Sequence, residues 1–192
     1  MQKLKRYKRI ETSKSGAGFT LIEAVVATAV FAFVVSSILG VYMATLQIDG
    51  KTKAQREVTR NSRFIMEFLA KEVRNGTINY SAYSGGDAST SNELYIINQL
   101  DEIERVYLSG ENLVLGKAAG TTNLNSTGVR VIDVKFLVSP IVDPLTSAKN
   151  ANQQPNVTVI LTLRSNYGDR AADVAEINIQ STFTVRSYPS RL

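Results

Sequence analysis

Residues 19–46 read FTLIEAVVATAVFAFVVSSILGVYMATL, and Glu23 is the only charged side chain among them. The uncharged part, residues 24–46, is 23 residues long. As an α-helix it would measure roughly 35 Å at 1.5 Å per residue, which is enough to cross the hydrocarbon core of a bilayer. The pattern therefore predicts a membrane-spanning helix.

Three other interpretations of this segment compete with the membrane helix. A secretory signal peptide has a shorter apolar core followed by a small-residue cleavage site, and residues 27–29 (ATA) resemble such a site, but apolar sequence continues beyond them. A simple signal anchor explains the length but gives Glu23 no role. A buried core helix would hide more uncharged residues than a chain of 192 residues usually buries. The membrane helix is the preferred interpretation.

The net charge of +5 is concentrated before the apolar segment. Residues 1–18 carry one acidic and six basic side chains, whereas the rest of the chain carries 16 of each sign. The six are Lys3, Lys5, Arg6, Lys8, Arg9 and Lys14. A basic flank beside a membrane helix is typical of the cytoplasmic side. We therefore predict that residues 1–18 are a cytoplasmic leader rather than a nucleic-acid-binding arm.

Glu23 requires a partner if it enters the membrane. An acidic side chain at mid-bilayer costs about 2.5–3.5 kcal/mol on insertion scales, and less near the edge. A cut just before Phe19 would create an α-amino group one helical turn from Glu23, or available to Glu23 of a neighbouring chain. Pairing in a low dielectric would offset much of the burial cost of both groups. Glu23 therefore indicates a partner that exists only after cleavage.

The junction resembles the class III signal of the type IV prepilins and pseudopilins: residues 14–18 read KSGAG and residues 19–23 read FTLIE. The resemblance implies that a prepilin peptidase cuts after Gly18 and N-methylates Phe19. It also implies that Glu23 is the assembly carboxylate, which in that family is thought to pair with the N-terminus of an adjacent subunit. The resemblance covers residues 14–46, and only the general architecture beyond them.

The same resemblance implies a location and a set of partners. The chain would be a single-pass protein of the bacterial cytoplasmic membrane, with a cytoplasmic N-terminus and an extracytoplasmic head, before it enters a pilus or pseudopilus. Its partners would be the prepilin peptidase, an assembly platform membrane protein and other pilins. The family's major pilins often carry a C-terminal cysteine pair, and this chain has no cysteine. That favours a minor pilin or minor pseudopilin.

Alternatives to this function stay open at this point. The chain is also compatible with a major pilin, or with a membrane-anchored binding module whose helix is only a tether. The sequence does not distinguish filaments for adhesion, motility, DNA uptake or type II secretion.

Residues 47–76 are predicted to continue the helix as an amphipathic segment of the head. Apolar side chains recur there at three- and four-residue spacings on one face. They are Ala54, Val58, Ile65, Phe68, Leu69 and Val73. We expect the helix to end at about Asn75, with Gly76 as a C-terminal stop.

Residues 77–192 are predicted to form an antiparallel β-sheet head. A polar loop is expected at 80–92, a hairpin turn at 109–111 and a long connection at 140–155. Strand patterns occur at 93–99, 103–108, 112–115, 128–139, 156–164 and 176–187. One long helix followed by strands predicts an α+β fold, in which the helix packs against the sheet as in pilins.

Composition argues against an enzyme. The chain has no histidine and no cysteine, which excludes serine–histidine triads, cysteine nucleophiles and histidine- or thiolate-bound zinc. We interpret Asp101, Glu102 and Glu104 as a solvated hairpin flank rather than an acid/base pair. Loops of some pseudopilins bind calcium, but the spacing around Asp87 matches no calcium motif. No metal and no cofactor are therefore expected.

Overall fold

The computed structural model describes residues 18–84, 87–88, 90–144, 153–166 and 174–186. The predicted leader before Gly18 lies outside the described residues. So do residues 85, 86 and 89 of the predicted loop 80–92, residues 145–152 of the connection 140–155, and the last residue of the predicted strand 176–187. The chain divides into two compact units, Met1–Thr45 and Leu46–Leu192.

The first unit contains the apolar part of helix α1, which runs from Leu21 to Asn75. Every side chain from 21 to 45 is exposed within the chain. The most apolar window of 18 residues has a mean hydropathy of 2.4, and none of it is buried. This helix is long and apolar enough to cross a membrane.

Hydroxyl side chains in this part of α1 bond back to the helix itself. The hydroxyls of Ser36 and Ser37 donate to the carbonyls of Ala32 and Phe33, each at 2.8 Å. Thr45 makes the same four-residue bond to Val41 at 2.9 Å. Because a hydroxyl without a partner is costly in an apolar environment, these bonds let polar residues remain in an apolar helix.

In the second unit, α1 is followed by nine strands within the described residues. All strand pairs are antiparallel, and they form two sheets, with the orders β1-β3-β4-β5-β6 and β2-β7-β8-β9. The strands are β1 Thr77–Ile78, β2 Thr90–Ser91, β3 Glu93–Ile97, β4 Ile103–Ser109, β5 Asn112–Lys117, β6 Gly120–Asn123, β7 Val129–Ser139, β8 Asn156–Ser165 and β9 Glu176–Thr184.

The predicted α+β fold is confirmed, with two sheets in place of one. The six predicted strands correspond to β3, β4, β5, β7, β8 and β9. The three additional strands, β1, β2 and β6, have only two to four residues, too few to show an alternating pattern. The predicted loop 80–92 also contains a short 3₁₀ turn, Tyr80–Ala82.

The predicted hairpin joins β4 to β5. Ser109 pairs with Asn112, so the loop consists of Gly110 and Glu111. Gly110 has a φ of 60°, a conformation that glycine adopts at little cost and other residues rarely adopt. A positive φ at the first of two loop residues is the requirement of a type II′ turn.

A β-bulge in strand β7 determines which of its side chains face the core. Its pairing with β8 shifts between Val131 and Asp133, which leaves Ile132 as an extra residue. Val131 and Val134 are both buried although they lie three residues apart. The bulge explains this spacing, because one inserted residue returns the following side chains to the core face.

One apolar core joins the second half of α1 to both sheets. The predicted helix face is buried except for Phe68, which is partly buried and packs against the core. Asn61 and Ser62 are also buried on this face. The Asn61 side chain accepts a hydrogen bond from the Ser126 backbone N–H at 2.9 Å, so it ties α1 to the loop before β7.

The C-terminal end of the described chain returns to the helix. Val185 donates a backbone hydrogen bond to the carbonyl of Pro155 at 2.9 Å, and Arg186 donates one to the carbonyl of Arg74 at 3.1 Å. The segment after β9 is therefore bonded to the last turn of α1.

Helix α1 ends at Asn75 as predicted, but Gly76 acts through close packing. Gly76 is not among the glycines with positive φ, so it is not a left-handed C-terminal cap. A Cβ atom at this position would lie 2.6 Å from Ile96 Cγ2 and 2.6 Å from the Ile97 carbonyl oxygen. Strand β3 therefore approaches the end of α1 more closely than any side chain allows.

We expect Gly76→Ala to lower the free energy of unfolding by about 1–3 kcal/mol, because the added methyl group forces the backbone apart. The measurement is urea denaturation of the full chain in detergent. Gly116→Ala is the matched control, since its Cβ would make an ordinary contact at 3.5 Å with the Tyr107 ring. Equal losses in the two variants would contradict this explanation.

Candidate functional site

The residues at the predicted cleavage junction are accessible. Gly18, Phe19 and Thr20 precede α1 and belong to no helix or strand. A Cβ atom on Gly18 would have no neighbour within 4 Å, and the Phe19 side chain is 73% exposed. A protease binds its substrate as an open backbone, so the Gly18–Phe19 bond has the access that cleavage requires.

Glu23 lies in the first turn of α1, where it forms a capping box with Thr20. The Thr20 hydroxyl accepts a hydrogen bond from the Glu23 backbone N–H at 3.3 Å. In return, Glu23 Oε2 accepts from the Thr20 backbone N–H at 3.4 Å and from the Thr20 hydroxyl at 3.3 Å. These reciprocal bonds satisfy two N–H groups that a helix start leaves without partners.

Thr20 is the residue that our sequence analysis missed. A threonine followed three residues later by glutamate, just before an apolar run, is the signature of a capping box. The carboxylate also lies at the positive end of the helix dipole, which favours its charge. Glu23 therefore has a local role in starting α1, independent of any partner created by cleavage.

The structure brings the three predicted site residues to one place. Gly18 and Phe19 stand immediately before the capping box, and Glu23 closes it from inside the first turn. All three are exposed within the chain. The arrangement places the predicted cleavage bond, the amino terminus that such a cut would create and a carboxylate at the same end of an apolar helix.

In the head, the prediction that Glu104 is solvated is wrong. Asp101 and Glu102 are exposed as expected, but the Glu104 side chain is buried, with the residue 1% exposed. Glu104 lies in β4, where alternate residues face the core, and Val106 is buried on the same face. Because the side chains of a strand alternate between its two faces, Glu104 should face the core like Val106, two residues later.

Glu104 is held by a cation and an amide. Its Oε1 atom lies 2.6 Å from Lys117 Nζ and accepts a hydrogen bond from Asn98 Nδ2 at 2.9 Å. Its Oε2 atom has no hydrogen-bond partner among the described residues. A buried charge of this kind is stabilised mainly by its partner.

The pKa values of two neighbouring groups, Glu72 and Lys117, are both raised in part by Glu104. Burial raises the pKa of the Glu72 carboxyl on α1, and the nearby Glu104 charge raises it further. The hydrogen bond to Glu104 raises the pKa of Lys117, which keeps the ammonium charged. Across the ranges that the structure describes, no group of three or more acidic side chains is arranged to hold a metal ion. Glu104 and Lys117 form an ion pair, which the Asn98 amide holds in place.

Comparison with known proteins places the junction in a recognised motif. Residues 13–39 match the family model of the prokaryotic N-terminal methylation motif, and this range includes Gly18, Phe19 and Glu23. No curated protein and no solved structure matches the chain. The match supports a type IV pilin- or pseudopilin-type precursor with a class III signal. Together with the long apolar helix, it fits a membrane-anchored single-pass protein.

Proposed function

We propose that this chain is a structural subunit of a type IV pilus-like filament, matured by prepilin peptidase and assembled through α1. The observation that carries the proposal is the methylation motif at residues 13–39. It lies at the start of helix α1, whose apolar part from residue 21 to residue 45 is exposed along its whole length within the chain. Such a surface needs either lipid or other helices around it.

Maturation would proceed through the residues of the junction. The basic leader keeps the N-terminus on the cytoplasmic side, where the peptidase cuts between Gly18 and Phe19 and methylates the new amino group of Phe19. Residues 19–46 then remain as the membrane helix, and residues 47–192 as the extracytoplasmic head. Assembly would move the helix from lipid into a bundle formed with other pilins, aided by an assembly platform protein.

Glu23 would guide that assembly. A carboxylate in the first helical turn can bind the amino terminus of the neighbouring subunit, and both charges are costly to bury without each other. The capping box fixes the rotamer of Glu23, so less conformational entropy is lost when the pair forms.

Within this class, we place the chain among the minor pilins or pseudopilins. It lacks the C-terminal cysteine pair of many major pilins, and its head contains two sheets. Quantifying this chain in sheared filaments tests the assignment. A minor subunit would be a small fraction of the material, and a dominant band would make it a major pilin.

Mass spectrometry of the mature N-terminus is the direct test of the proposed function. The wild-type chain is expected to begin at N-methylated Phe19. Gly18→Val should accumulate as uncleaved precursor, because a branched side chain obstructs the protease next to the bond that it cuts. Gly40→Val, in the apolar helix, is the matched glycine control and should be cleaved normally. A mature chain that keeps Met1, or that begins beyond Leu46, would contradict the proposal.

A further inference from the structure

Strand β9 forms one edge of the sheet that has the order β2-β7-β8-β9. It pairs with β8 at every one of its nine residues, from Glu176 to Thr184, without a bulge. On its other side, no strand of the described chain pairs with it. An edge of this kind presents a row of backbone N–H and C=O groups to which another strand can bind.

Hydrogen bonds at the two ends of the β8–β9 pair show which backbone groups of β9 face away from β8. The Val185 N–H donates to the Pro155 carbonyl at 2.9 Å, and the Ser165 N–H donates to the Ala175 carbonyl at 2.8 Å. Residues 175 and 185 therefore face β8. Because this orientation alternates along an antiparallel strand, the even-numbered residues of β9 direct their backbone groups away from β8.

The free backbone groups thus belong to residues 176, 178, 180, 182 and 184. None of them has a backbone partner in the part of the chain that the structure describes. Their side chains are all exposed, whereas those of the odd-numbered residues 177–183 are partly or fully buried. Both the backbone and the side chains of the even-numbered residues are therefore accessible to a neighbouring strand.

The other sheet edges are short or closed. β1 and β2 have two residues each, and β6 has four. Where β3 extends beyond β1, the Tyr83 hydroxyl accepts a hydrogen bond from the Tyr95 N–H at 3.2 Å. Where β7 extends beyond β2, the Val131 N–H donates to the Glu111 carbonyl at 2.9 Å, and the bulge at Ile132 follows.

β9 lacks the features that usually prevent an edge strand from pairing. Such features are proline, lysine, a bulge or a length of only a few residues. β9 reads EINIQSTFT, and its only charged side chain is Glu176 at its first position. Among the sheet edges of the described chain, β9 is therefore the long one that is open to another strand.

The apolar core is also incompletely covered at β9. The core-facing side chains of β8 are fully buried, at 0% exposure for Val157, Val159, Leu161 and Leu163. Their counterparts Ile177 and Ile179 in β9 pack against the core but are only partly buried. A further strand beside β9 would remove this apolar area from water, which is favourable.

Hydroxyl and amide side chains cover the outer surface of the same strands. The hydroxyls of Thr158 and Thr182 share a hydrogen bond at 2.8 Å, and the Thr162 hydroxyl donates to Asn178 Oδ1. Gln180 is exposed between Asn178 and Thr182. Cross-strand pairs of this kind stabilise a sheet, so a strand that continues the row would carry uncharged polar side chains here.

We infer that β9 binds an extended segment of a different pilin-type subunit, which adds a strand to this sheet. Main-chain hydrogen bonds to the even-numbered residues provide affinity, and alternate side chains provide specificity. The segment has apolar side chains on the face of Ile177 and Ile179, and uncharged polar side chains on the face of Gln180. The inference rests on the proposed function, because a minor subunit has other pilins as its neighbours.

Other occupants fit β9 less well. A nucleic acid or a lipid surface lacks N–H and C=O groups at the spacing of a strand, about 3.3 Å per residue. A second copy of this chain has a suitable backbone, but a minor subunit is sparse in a filament and rarely adjoins its own copy. A different subunit meets both requirements.

Photo-cross-linking tests strand pairing directly. A diazirine amino acid is incorporated at position 178, 180 or 182 of the full chain, in cells that carry the complete assembly system. We expect each to cross-link to the same pilin-type subunit, at sites that shift by two residues for each two-residue step along β9, since paired strands advance together. Position 121, exposed on the short edge strand β6, is the control and should give no such series.

Gln180→Pro provides an independent measurement. Proline has no N–H, but the Gln180 N–H points away from β8, so the bonds within the chain are kept. Recovery of the partner subunit with this variant should fall about tenfold, because the added strand loses a backbone bond and meets the proline ring. Both this variant and its control should unfold in urea like the wild type.

Thr121→Pro is the matched control for Gln180→Pro. In β6, the Leu124 N–H donates to the Leu113 carbonyl at 2.8 Å, so by alternation the Thr121 N–H points away from β5. The same substitution at this short free edge should leave recovery of the partner unchanged. The cross-linking series uses a chain with the native N–H groups, so it tests the inference even if proline affects folding.

Three results would overturn the inference. Cross-links confined to one chain would show that its own residues cover β9, and cross-links to a second copy would show self-pairing. Cross-links without a regular shift, together with normal recovery of Gln180→Pro, would show a side-chain contact instead. In each case, a mature chain that begins at N-methylated Phe19 and is recovered with filaments leaves the proposed function standing. A chain that is not cleaved after Gly18 would refute that function itself.

Discussion

Glu23→Gln is expected to be inserted and cleaved normally, yet recovered in sheared filaments at about one hundredth of the wild-type level. Glutamine can still close the capping box with Thr20, so the helix start is preserved and only the charge is lost. Removing one member of a buried ion pair costs about 3 kcal/mol or more. That corresponds to about a hundredfold change in an equilibrium.

Thr20→Ala is the matched control for Glu23→Gln. It removes the hydroxyl that accepts from the Glu23 backbone N–H and should cost about 1 kcal/mol of helix stability. The carboxylate remains, so filaments should still form. The assembly role of Glu23 would be refuted if Glu23→Gln assembled like the wild type while Thr20→Ala did not, because capping alone would then explain the glutamate.

Lys117→Met is expected to lower the free energy of unfolding by about 3 kcal/mol, the largest effect that we predict for a single change in the head. The substitution leaves Glu104 buried without its cation, and breaking a buried pair from one side costs about 3–5 kcal/mol. We take the low end of this range because the Lys117 side chain is 41% exposed. Urea denaturation of the detergent-solubilised full chain measures the loss.

A double-mutant cycle separates the ion pair from simple packing. Glu104→Gln combined with Lys117→Met removes both charges, and glutamine can still accept the hydrogen bond from Asn98. The double variant should therefore lose less stability than Lys117→Met alone, since replacing both partners of a buried pair is often close to neutral. A double variant that is no more stable than Lys117→Met would show that the buried carboxylate is not the cause.

The sequence predicted elements whose signals are long or periodic. The apolar helix follows from the length of its uncharged run. The amphipathic face of Val58, Ile65 and Leu69 follows from a period of 3.6, and the six longer strands follow from a period of 2. Glu104 was misplaced because its charge was given more weight than its position in a strand, where burial of Val106 implies burial of residue 104. Thr20 was missed although its signature is local and readable.

Other features could not be predicted because they depend on distant residues. Glycine is required at position 76 because Ile96 and Ile97 approach it closely. The residues near position 76 in the sequence give no sign of this contact. The division into two sheets depends on pairings such as β1 with β3, where each strand offers only a short pattern.

The hydrogen bond from Arg186 to Arg74 has a consequence for biogenesis. During synthesis, the helix of the head emerges well before the segment that follows β9. The core residues of α1 cannot be fully covered until β8 and β9 have paired, so native contacts must wait until nearly the whole chain has been synthesised. Long-range pairing of this kind is slow, and the unfinished head exposes apolar surface in the meantime.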